Sequence, residues 1–341
     1  MKVKKMYSKL LTSIAVTVAL TSSIAAQAQA LEKLNFGIIS TESSQNLKTI
    51  WLPFLKDMST KLGVEVKPFF ATDYAGIIQA MRFNKVDVAW YGNKSAMEAV
   101  DRAGGEIFAQ TVDSNGNPGY WSLLLANKSN EKINNIEDLL KYSKELTFGN
   151  GDPNSTSGFL VPSYYVFTKN NVEPKKIFKR VTNASHQSNF LSVANGQVDI
   201  ATNNTDNLGR IQITHPDKVD QVKVIWKSPL IPSDPIVWRK NLADADKTRI
   251  RDFFLSYGAD KSSSSHVDEL NVLKALQWAP FKPSTDDQLL PIRQLVLFKK
   301  RIKLVGNAKL DTQEKALQLK EIDQQLTDLN KRLATLETAA K

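Results

Sequence analysis

Residues 80–89 read AMRFNKVDVA, and residues 192–201 read SVANGQVDIA. Each stretch has the pattern of a helix end, a polar turn and then a buried strand, V-D-[V/I]-A. The repeat is too short to prove a duplication, but it suggests two lobes built alike. The loops after these strands are residues 91–93 (YGN) and 202–207 (TNNTDN). Because ligands of open α/β sheets bind beyond the carboxyl ends of the strands, both loops are predicted to face a ligand.

Strands and helices alternate in the sequence before and after the first copy of the repeat. An apolar strand at residues 34–39 is followed by a helical pattern that ends at Gly63, and then by a strand at residues 64–71. Asp73 is expected to cap the next helix. Such alternation favours an α/β fold around mostly parallel sheets.

Two apolar segments are predicted to cross between the lobes. The first is residues 120–126 (YWSLLLA), and the second combines residues 222–226 (VKVIW) with residues 235–238 (PIVW). If both cross, the first lobe is discontinuous and a ligand is held in the cleft between the lobes. The predicted ranges are 31–126 and 231–298 for the first lobe, 127–230 for the second lobe and 299–341 for a C-terminal amphipathic helix.

The C-terminal segment has a heptad pattern. Its apolar residues recur at intervals of three and four, with polar residues at most other positions; they are Leu319, Ile322, Leu326, Leu329, Leu333 and Leu336. Such a seam either packs on its own lobe or pairs with a second chain. The terminal position and the polar remainder of the helix favour a homodimer.

Residues 1–30 have the layout of a secretory signal peptide. Basic residues come first, then a short apolar run at residues 10–20, and then small residues with A-x-A spacing. Cleavage is expected between residues 26 and 31, which predicts a periplasmic protein. No uninterrupted apolar stretch reaches the roughly 18 residues of a membrane-spanning helix.

Composition excludes several classes of site and partner. The chain of 341 residues has no cysteine, which rules out disulfides, a thiolate nucleophile and sulfur-based zinc sites. Its three histidines show no HExxH spacing, so neither a metal nor another cofactor is expected. The formal net charge of +10 includes four lysines of the signal peptide. Because no cluster of basic and aromatic residues follows it, nucleic acid is not an expected partner.

Residues 148–165, FGNGDPNSTSGFLVPSYY, contain the clearest candidate for a binding site. A strand leads into turn residues, and Ser155, Thr156 and Ser157 then open a helix. The first turn of a helix presents backbone N–H groups and the positive end of the helix dipole, and the hydroxyls add further donors. This arrangement binds a tetrahedral oxyanion without lysine. The alternative is an ordinary helix cap.

Other polar side chains are candidates for completing the site. His186 precedes a helix among few apolar neighbours and is a candidate donor to an oxyanion. Asp206 lies in the loop after the second repeat and Asp234 lies beside the second crossing, where together they suit an ammonium group on the same ligand. Both are also ordinary turn carboxylates. Hydroxyls from the first lobe are expected to reach the cleft at Tyr74, Tyr91 and Tyr120, for which core packing is the alternative.

These motifs carry a resemblance to a known family. The run at residues 73–99, DYAGIIQAMRFNKVDVAWYGNKSAMEA, the STSG motif and the signal peptide together resemble the phosphate, phosphite and phosphonate substrate-binding proteins of ABC transporters. The resemblance covers about residues 33–300. It implies a two-lobed type II periplasmic binding fold that closes around its ligand and docks on an ABC permease. It also implies that Ser155, Thr156 and Ser157 hold the phosphonate oxygens, assisted by a tyrosine and a histidine of the cleft.

Three functional hypotheses follow. The first is capture of organophosphonates, with Asp206 and Asp234 selecting aminoalkylphosphonates such as 2-aminoethylphosphonate. The second is binding of another oxyanion, such as phosphite, a phosphate ester or a sulfonate. The third is a secreted serine hydrolase that uses Ser155 or Ser157 with His186, although the G-x-S-x-G elbow of such enzymes is missing. A protein whose C-terminal helix serves as an adaptor is a further alternative.

Overall fold

The computed structural model describes residues 31–339, so the predicted signal peptide lies outside the described residues. In chain order the strands are β1 (Lys33–Ile38), β2 (Glu65–Phe70), β3 (Val88–Trp90), β4 (Gly105–Asp113), β5 (Gly119–Tyr120), β6 (Ser122–Asn127), β7 (Thr147–Asn150), β8 (Arg180–Asn183), β9 (Ile200–Asn204), β10 (Val222–Lys227), β11 (Ile231–Pro232), β12 (Pro235–Arg239) and β13 (Trp278–Pro283). The α-helices are α1 (Ser44–Leu62), α2 (Tyr74–Arg82), α3 (Asn93–Arg102), α4 (Ile136–Tyr142), α5 (Pro174–Ile177), α6 (His186–Ala194), α7 (Thr205–Thr214), α8 (Pro216–Val219), α9 (Asp244–Ser256), α10 (His266–Ala275), α11 (Leu290–Val305) and α12 (Thr312–Ala339). Within residues 31–339, every helix is too short or too polar to traverse a lipid bilayer.

The first lobe is built around a six-stranded sheet with the order β13-β4-β12-β3-β1-β2. Strand β1 runs parallel to β2 and β3, whereas β12 runs antiparallel to β3 and β4. Aromatic side chains fill its core, with Trp51 of α1 packed against Phe36, Trp90 and Trp278. As predicted, Asp73 caps α2, accepting a hydrogen bond from a backbone amide of the first turn.

The second lobe is built around a five-stranded sheet with the order β10-β6-β9-β7-β8. Strand β7 runs parallel to β8 and β9, and β6 runs antiparallel to β9 and β10. Separate apolar clusters cover the sheet, one around Phe148 and one around Phe190. The predicted α/β, two-lobed fold is therefore confirmed. The expectation of mostly parallel sheets is wrong, because the strands next to the links between the lobes, such as β6 and β12, pair antiparallel with their neighbours.

A short two-stranded ribbon links the lobes. Strands β5 and β11 pair antiparallel, with Tyr120 opposite Ile231 and Gly119 opposite Pro232. A Cβ atom on Gly119 would lie 2.0 Å from the Ile231 carbonyl oxygen, so the two strands approach too closely for any side chain there. The predicted lobe boundary at residue 126 falls inside β6 of the second sheet, because the apolar run that resembled a crossing strand is a buried strand of that lobe.

The V-D-x-A repeat has the same structural role in both lobes. Asp87 accepts a hydrogen bond from the Asn35 backbone N–H on the neighbouring strand β1, at 2.8 Å. Asp199 accepts one from the Thr147 backbone N–H on β7, at 2.7 Å, and in both pairs the partners are 52 residues apart. Each carboxylate therefore links the strand that follows it in the sequence to a neighbouring strand, close to where the two strands begin to pair. This equivalence supports the interpretation that the two lobes are built alike.

The C-terminal helix α12 packs on α11 of the same chain. Ile322 and Leu326 of the predicted seam are buried against Leu304, and Arg301 forms an ion pair with Asp323 at 2.6 Å. The seam is exposed at its far end, where Leu336 is 38% accessible. About half of the apolar seam thus packs within the chain, as the alternative to pairing with a second chain predicted. The homodimer stays a prediction.

Candidate ligand-binding site

A cavity between the two lobes contains the residues that follow both copies of the repeat. Gly92, the N-cap of α3, and Asn204, the N-cap of α7, both line it. The loops after the two repeated strands therefore meet in the cleft, as the sequence predicted. We refer to this space as the inner cavity; its lining residues are Ile39, Thr41, Tyr74, Trp90, Gly92, Tyr120, Ser155, Thr156, Ser157, His186, Asn204, Asp206, Asn207, Arg210 and Asp234.

Most of the predicted site residues line this cavity, and Tyr91 is the exception. Its hydroxyl donates to the Ile77 carbonyl oxygen at 3.1 Å inside the first lobe, where the side chain is fully buried. The prediction that Tyr91 reaches the cleft is wrong because successive side chains of an extended strand point to opposite faces. Its neighbour Trp90 lines the cavity instead.

The three hydroxyls of the STSG motif are arranged as hydrogen-bond donors toward the cavity. Each oxygen already accepts one hydrogen bond, which leaves its own proton for a ligand. Ser155 accepts from the Gly158 backbone N–H at 2.9 Å, and Thr156 accepts from the Lys94 backbone N–H at 2.8 Å. Ser157 accepts from the Asn204 side-chain amide at 2.9 Å. First-turn amides, which have no partner within a helix, lie at the same end.

The helix opened by this motif begins with a π-helical turn, Thr156–Leu160, rather than the expected α-helical one. Two glycines allow the loop before it to fold tightly. The Gly151 backbone N–H donates to the Gly158 carbonyl oxygen at 2.9 Å, and a Cβ atom on Gly151 would lie 2.6 Å from the Gly158 backbone. Close approach of these two backbones therefore determines where the hydroxyls lie.

His186 lies against these hydroxyls as a neutral ring. Its Nε2 atom is 3.4 Å from Ser155 Oγ, 3.5 Å from Ser157 Oγ and 3.3 Å from the Asn204 amide nitrogen. Burial, and secondly the positive charge of Arg210, lowers the pKa of His186 to about 4. The part of the cavity lined by these hydroxyls therefore contains neutral polar groups at pH 7.

Two carboxyl groups, those of Asp206 and Asp234, also line the inner cavity. Tyr120 donates its hydroxyl to Asp234 Oδ1 at 2.9 Å. Burial, followed by the charge of Asp206, raises the pKa of Asp234 to about 8, and burial raises the pKa of Asp206 to about 6. The sequence suggested that Asp206 lies in a loop, but it belongs to the first turn of α7. Both carboxyls hold protons more tightly than usual because burial disfavours their charged forms, and the positive charge of Arg210 offsets this only in part.

Sequence reasoning missed Arg210, which also lines the cavity. Its Nε atom lies 3.0 Å from Glu42 Oε1 of the first lobe, and the guanidinium lies 5.9 Å from the centre of the Trp90 ring. Both ends of this ion pair are more than nine-tenths buried. Arg210 follows Asp206 by four residues, and this helical spacing was the one signal that both share a face of α7.

Some buried polar atoms of the cavity wall have no hydrogen-bond partner among residues 31–339. They are Thr41 Oγ1, Trp90 Nε1, His186 Nδ1, Arg210 Nε and both polar atoms of the Asn207 side chain. An unsatisfied buried amide costs about 1–3 kcal/mol, so native proteins rarely retain one without a reason. These atoms fit a polar ligand that completes their hydrogen bonds.

Hydrogen bonds also join the lobes around the cavity. The Tyr74 backbone N–H donates to Asp152 Oδ2 at 3.1 Å, and the Ser43 backbone N–H donates to Gln187 Oε1 at 3.1 Å. Together with the Lys94–Thr156 bond, these contacts connect the start of three first-lobe helices to the second lobe. The cleft is therefore closed over the site.

Comparison with known proteins places the chain in a family. The sequence model of the ABC-transporter phosphonate periplasmic substrate-binding proteins matches residues 36–289. The chain belongs to this family. Its similarity to the phosphonates-binding periplasmic protein of Escherichia coli K12 amounts to 57% identity over 98% of this chain and 99% of that protein.

Solved structures agree with this family assignment. A binding protein component of an ABC phosphonate transporter from Pseudomonas aeruginosa is 63% identical, with a TM-score of 0.85 over 89% of this chain and 99% of that one. PhnD1 from Prochlorococcus marinus, in complex with methylphosphonate, has the same fold, with a TM-score of 0.66 at 24% identity over 77% of this chain and 97% of that one. The family predicted from the sequence is confirmed.

This phosphonate-family binding protein is not an enzyme. Its relatives are substrate-binding proteins of ABC transporters. The serine-hydrolase hypothesis is therefore wrong.

Proposed function

We propose that the protein captures aminoalkylphosphonates, such as 2-aminoethylphosphonate, and delivers them to the permease of an ABC importer. The observation that carries this proposal is the polarity of the inner cavity. Hydroxyls, a neutral histidine and a pair of carboxyls line the same cavity. A ligand that has both an oxyanion and an ammonium group complements both kinds of side chain.

The donors at the phosphonate end suit a group with two negative charges. Ser155, Thr156 and Ser157 each have a hydroxyl proton to donate, and the helix dipole adds a positive potential. Hydrogen bonds to a charged acceptor contribute about 1.5–3 kcal/mol each, so several of them account for tight binding without lysine. Arg210 lies near but is paired with Glu42, so it provides little net charge.

The carboxyl end distinguishes this function from binding of another oxyanion. A small anion such as phosphite or phosphate would be repelled by Asp206 and Asp234 when they are ionised. An ammonium group beside them instead replaces the proton that the pair retains because of its raised pKa values. Burying two carboxyls without such a partner is costly, and this favours a cationic substituent over a plain alkyl one.

Isothermal titration calorimetry of the full mature chain tests this function. We expect 2-aminoethylphosphonate to bind tightest, by at least about tenfold over methylphosphonate, which is about 1.4 kcal/mol. Phosphite and inorganic phosphate should follow. Ethylphosphonate is the matched control, because it differs from 2-aminoethylphosphonate only in the amine. Tighter binding of phosphate than of any phosphonate would reject the proposal.

The proposal includes a periplasmic site of action. The family is periplasmic, and residues 1–30 have the features of a leader that directs export. After cleavage between residues 26 and 31, the mature chain would bind its ligand in the periplasm and dock transiently on the permease.

A homodimer formed through α12 is a separate part of the proposal, and truncation after Gly306 tests it. Removing α12 deletes Ile322 and Leu326 and uncovers Leu304, and burying such side chains contributes about 1.5–3 kcal/mol each, so the melting temperature should fall. Ligand affinity should stay within about twofold, since the cluster lies apart from the inner cavity. Light scattering should show a dimer for the full chain and a monomer for the truncated one. A monomeric full chain would refute the dimer.

A further inference from the structure

We infer that the cleft contains a second subsite, beyond Asp206 and Asp234, for the cationic end of long ω-aminoalkylphosphonates. This inference rests on the proposed function and extends it to a further class of substrate. These ligands have more than two carbon atoms between phosphorus and nitrogen. They would keep the phosphonate at the hydroxyl end and extend their amine outward.

The subsite is a chamber that adjoins the inner cavity. It has a volume of about 450 Å3, much more than the inner cavity. Four residues line both spaces: Tyr120, Asp206, Arg210 and Asp234. The carboxyl pair is therefore a partition between two compartments and not the end of the site. A substituent that passes the partition enters the chamber directly.

Charge in the chamber favours a cation. Its carboxylates are Asp113, Asp206 and Asp234, and its basic residues are Lys274 and Arg210. Arg210 is already paired with Glu42. The Asp113 charge contributes to the raised pKa of Asp206, which places the two carboxylates within interaction distance. Acidic groups thus continue outward from the partition along the path of an extended ligand.

Side chains from both lobes form the chamber wall. Gln277 of the first lobe has a left-handed backbone conformation, with φ of 63°, and its side chain lies against Gly209 of α7. A Cβ atom on Gly209 would lie 2.9 Å from the Gln277 amide nitrogen, so the two lobes meet closely at this part of the wall.

A series of ligands tests the subsite on the full mature chain. Calorimetry would compare 2-aminoethyl-, 3-aminopropyl- and 4-aminobutylphosphonate, with butylphosphonate as the uncharged control. We expect 4-aminobutylphosphonate to bind within about tenfold of 2-aminoethylphosphonate and at least about tenfold more tightly than butylphosphonate. Equal affinity of 4-aminobutylphosphonate and butylphosphonate would overturn the inference.

Ile213→Trp fills the chamber without touching the inner cavity. Ile213 lines the chamber and is 71% exposed, so the larger side chain does not disturb the core. This variant should weaken 4-aminobutylphosphonate by about tenfold or more and leave 2-aminoethylphosphonate within about twofold. Val224→Trp is the matched control, because Val224 is also exposed and lies on β10 outside the chamber. Equal weakening of both ligands by Ile213→Trp would refute the subsite.

These measurements separate the inference from the proposed function. If 2-aminoethylphosphonate binds no more tightly than ethylphosphonate, the proposed function fails at the carboxyl pair. If it binds more tightly but 4-aminobutylphosphonate binds no more tightly than butylphosphonate, only the inference about the chamber is rejected and the proposed function stands. Asp113→Asn provides an independent check, since it should weaken 4-aminobutylphosphonate selectively. An equal effect on both amines would contradict the role of the chamber.

Discussion

Ser157→Asp is expected to abolish the binding of every phosphonate, phosphite and phosphate, with an affinity loss of at least about 1000-fold. The change removes a charge-assisted hydrogen bond of about 1.5–3 kcal/mol and places a negative charge against the ligand oxyanion. The fold should be retained, because an acidic side chain near a helix N-terminus is favourable and the Asn204 amide remains as its donor. Calorimetry measures the affinity, and thermal melting of the ligand-free protein measures the fold.

Two variants control for the added charge. Ser157→Ala removes the hydroxyl alone and should cost about ten- to a hundredfold in affinity. Asn135→Asp adds the same charge at the N-cap of α4, where the present side chain accepts from the Asp138 backbone N–H far from the cleft. It should leave affinity unchanged. Normal phosphonate binding by Ser157→Asp would show that the oxyanion lies elsewhere.

Asp234→Asn is expected to remove the preference for amines. The ratio of affinities for 2-aminoethylphosphonate and ethylphosphonate should fall by about 100-fold, since losing one partner of a buried charge pair costs about 2–5 kcal/mol. The affinity for ethylphosphonate itself should change little, because asparagine keeps the oxygen that accepts from Tyr120. Asp152→Asn is the matched control: this residue joins the lobes and should weaken all ligands alike. A uniform loss in Asp234→Asn would show a structural role instead.

The same change should alter the dependence on pH. The pKa of Asp234 is about 8 and that of Asp206 about 6, so between these values the pair retains one proton. The ratio of affinities should therefore rise from pH 5 to pH 9 in the wild type and rise less in Asp234→Asn. Because both ligands contain the phosphonate group, taking their ratio reduces the effect of its own titration. A ratio independent of pH would contradict the raised pKa values.

Asp234→Asn should raise the stability of the ligand-free protein although it lowers the affinity for amines. A carboxyl whose pKa is raised on folding binds its proton more tightly in the folded chain, so ionising it above about pH 4 destabilises the fold. Ligand-free Asp234→Asn should accordingly be more stable at pH 8 by about 1–2 kcal/mol, as is common when a strained functional group is removed. Its advantage should shrink as the pH falls toward 4 and disappear below the pKa of about 3.9 of the unfolded chain, where the carboxyl is protonated in both states.

Local patterns in the sequence were sufficient for the fold and for the oxyanion end of the site. The V-D-x-A repeat predicted two similar lobes, and its aspartates have the same hydrogen bonds in both. The STSG motif predicted hydroxyls at a helix start, since N-cap preferences depend on a few adjacent residues. Such features are determined within one turn or one strand, which is why composition and spacing reveal them.

Features that depend on contacts between distant segments were not predictable. The ion pair between Arg210 and Glu42 joins two lobes, and no local pattern links those positions. Tyr91 was assigned to the wrong face because its polarity suggested the cleft, whereas strand alternation directs it into the core. The crossing was misplaced for a similar reason: an apolar run is compatible both with a crossing segment and with a buried strand.

The lobes must separate to release a ligand, and the ribbon of β5 and β11 that links them is the pivot for that movement. Tyr120 is one of its residues, and Asp234 follows its second strand, so an ammonium group bound beside Asp234, as proposed above, would lie at the pivot. The phosphonate of the same molecule would face the rest of the cavity wall, including Tyr74 and Ser155. An amine bound in this way would contact the pivot, whereas a plain alkyl compound would not. Two ligands of equal affinity can thus differ in how long the two lobes stay closed, so the rate of uptake need not follow affinity.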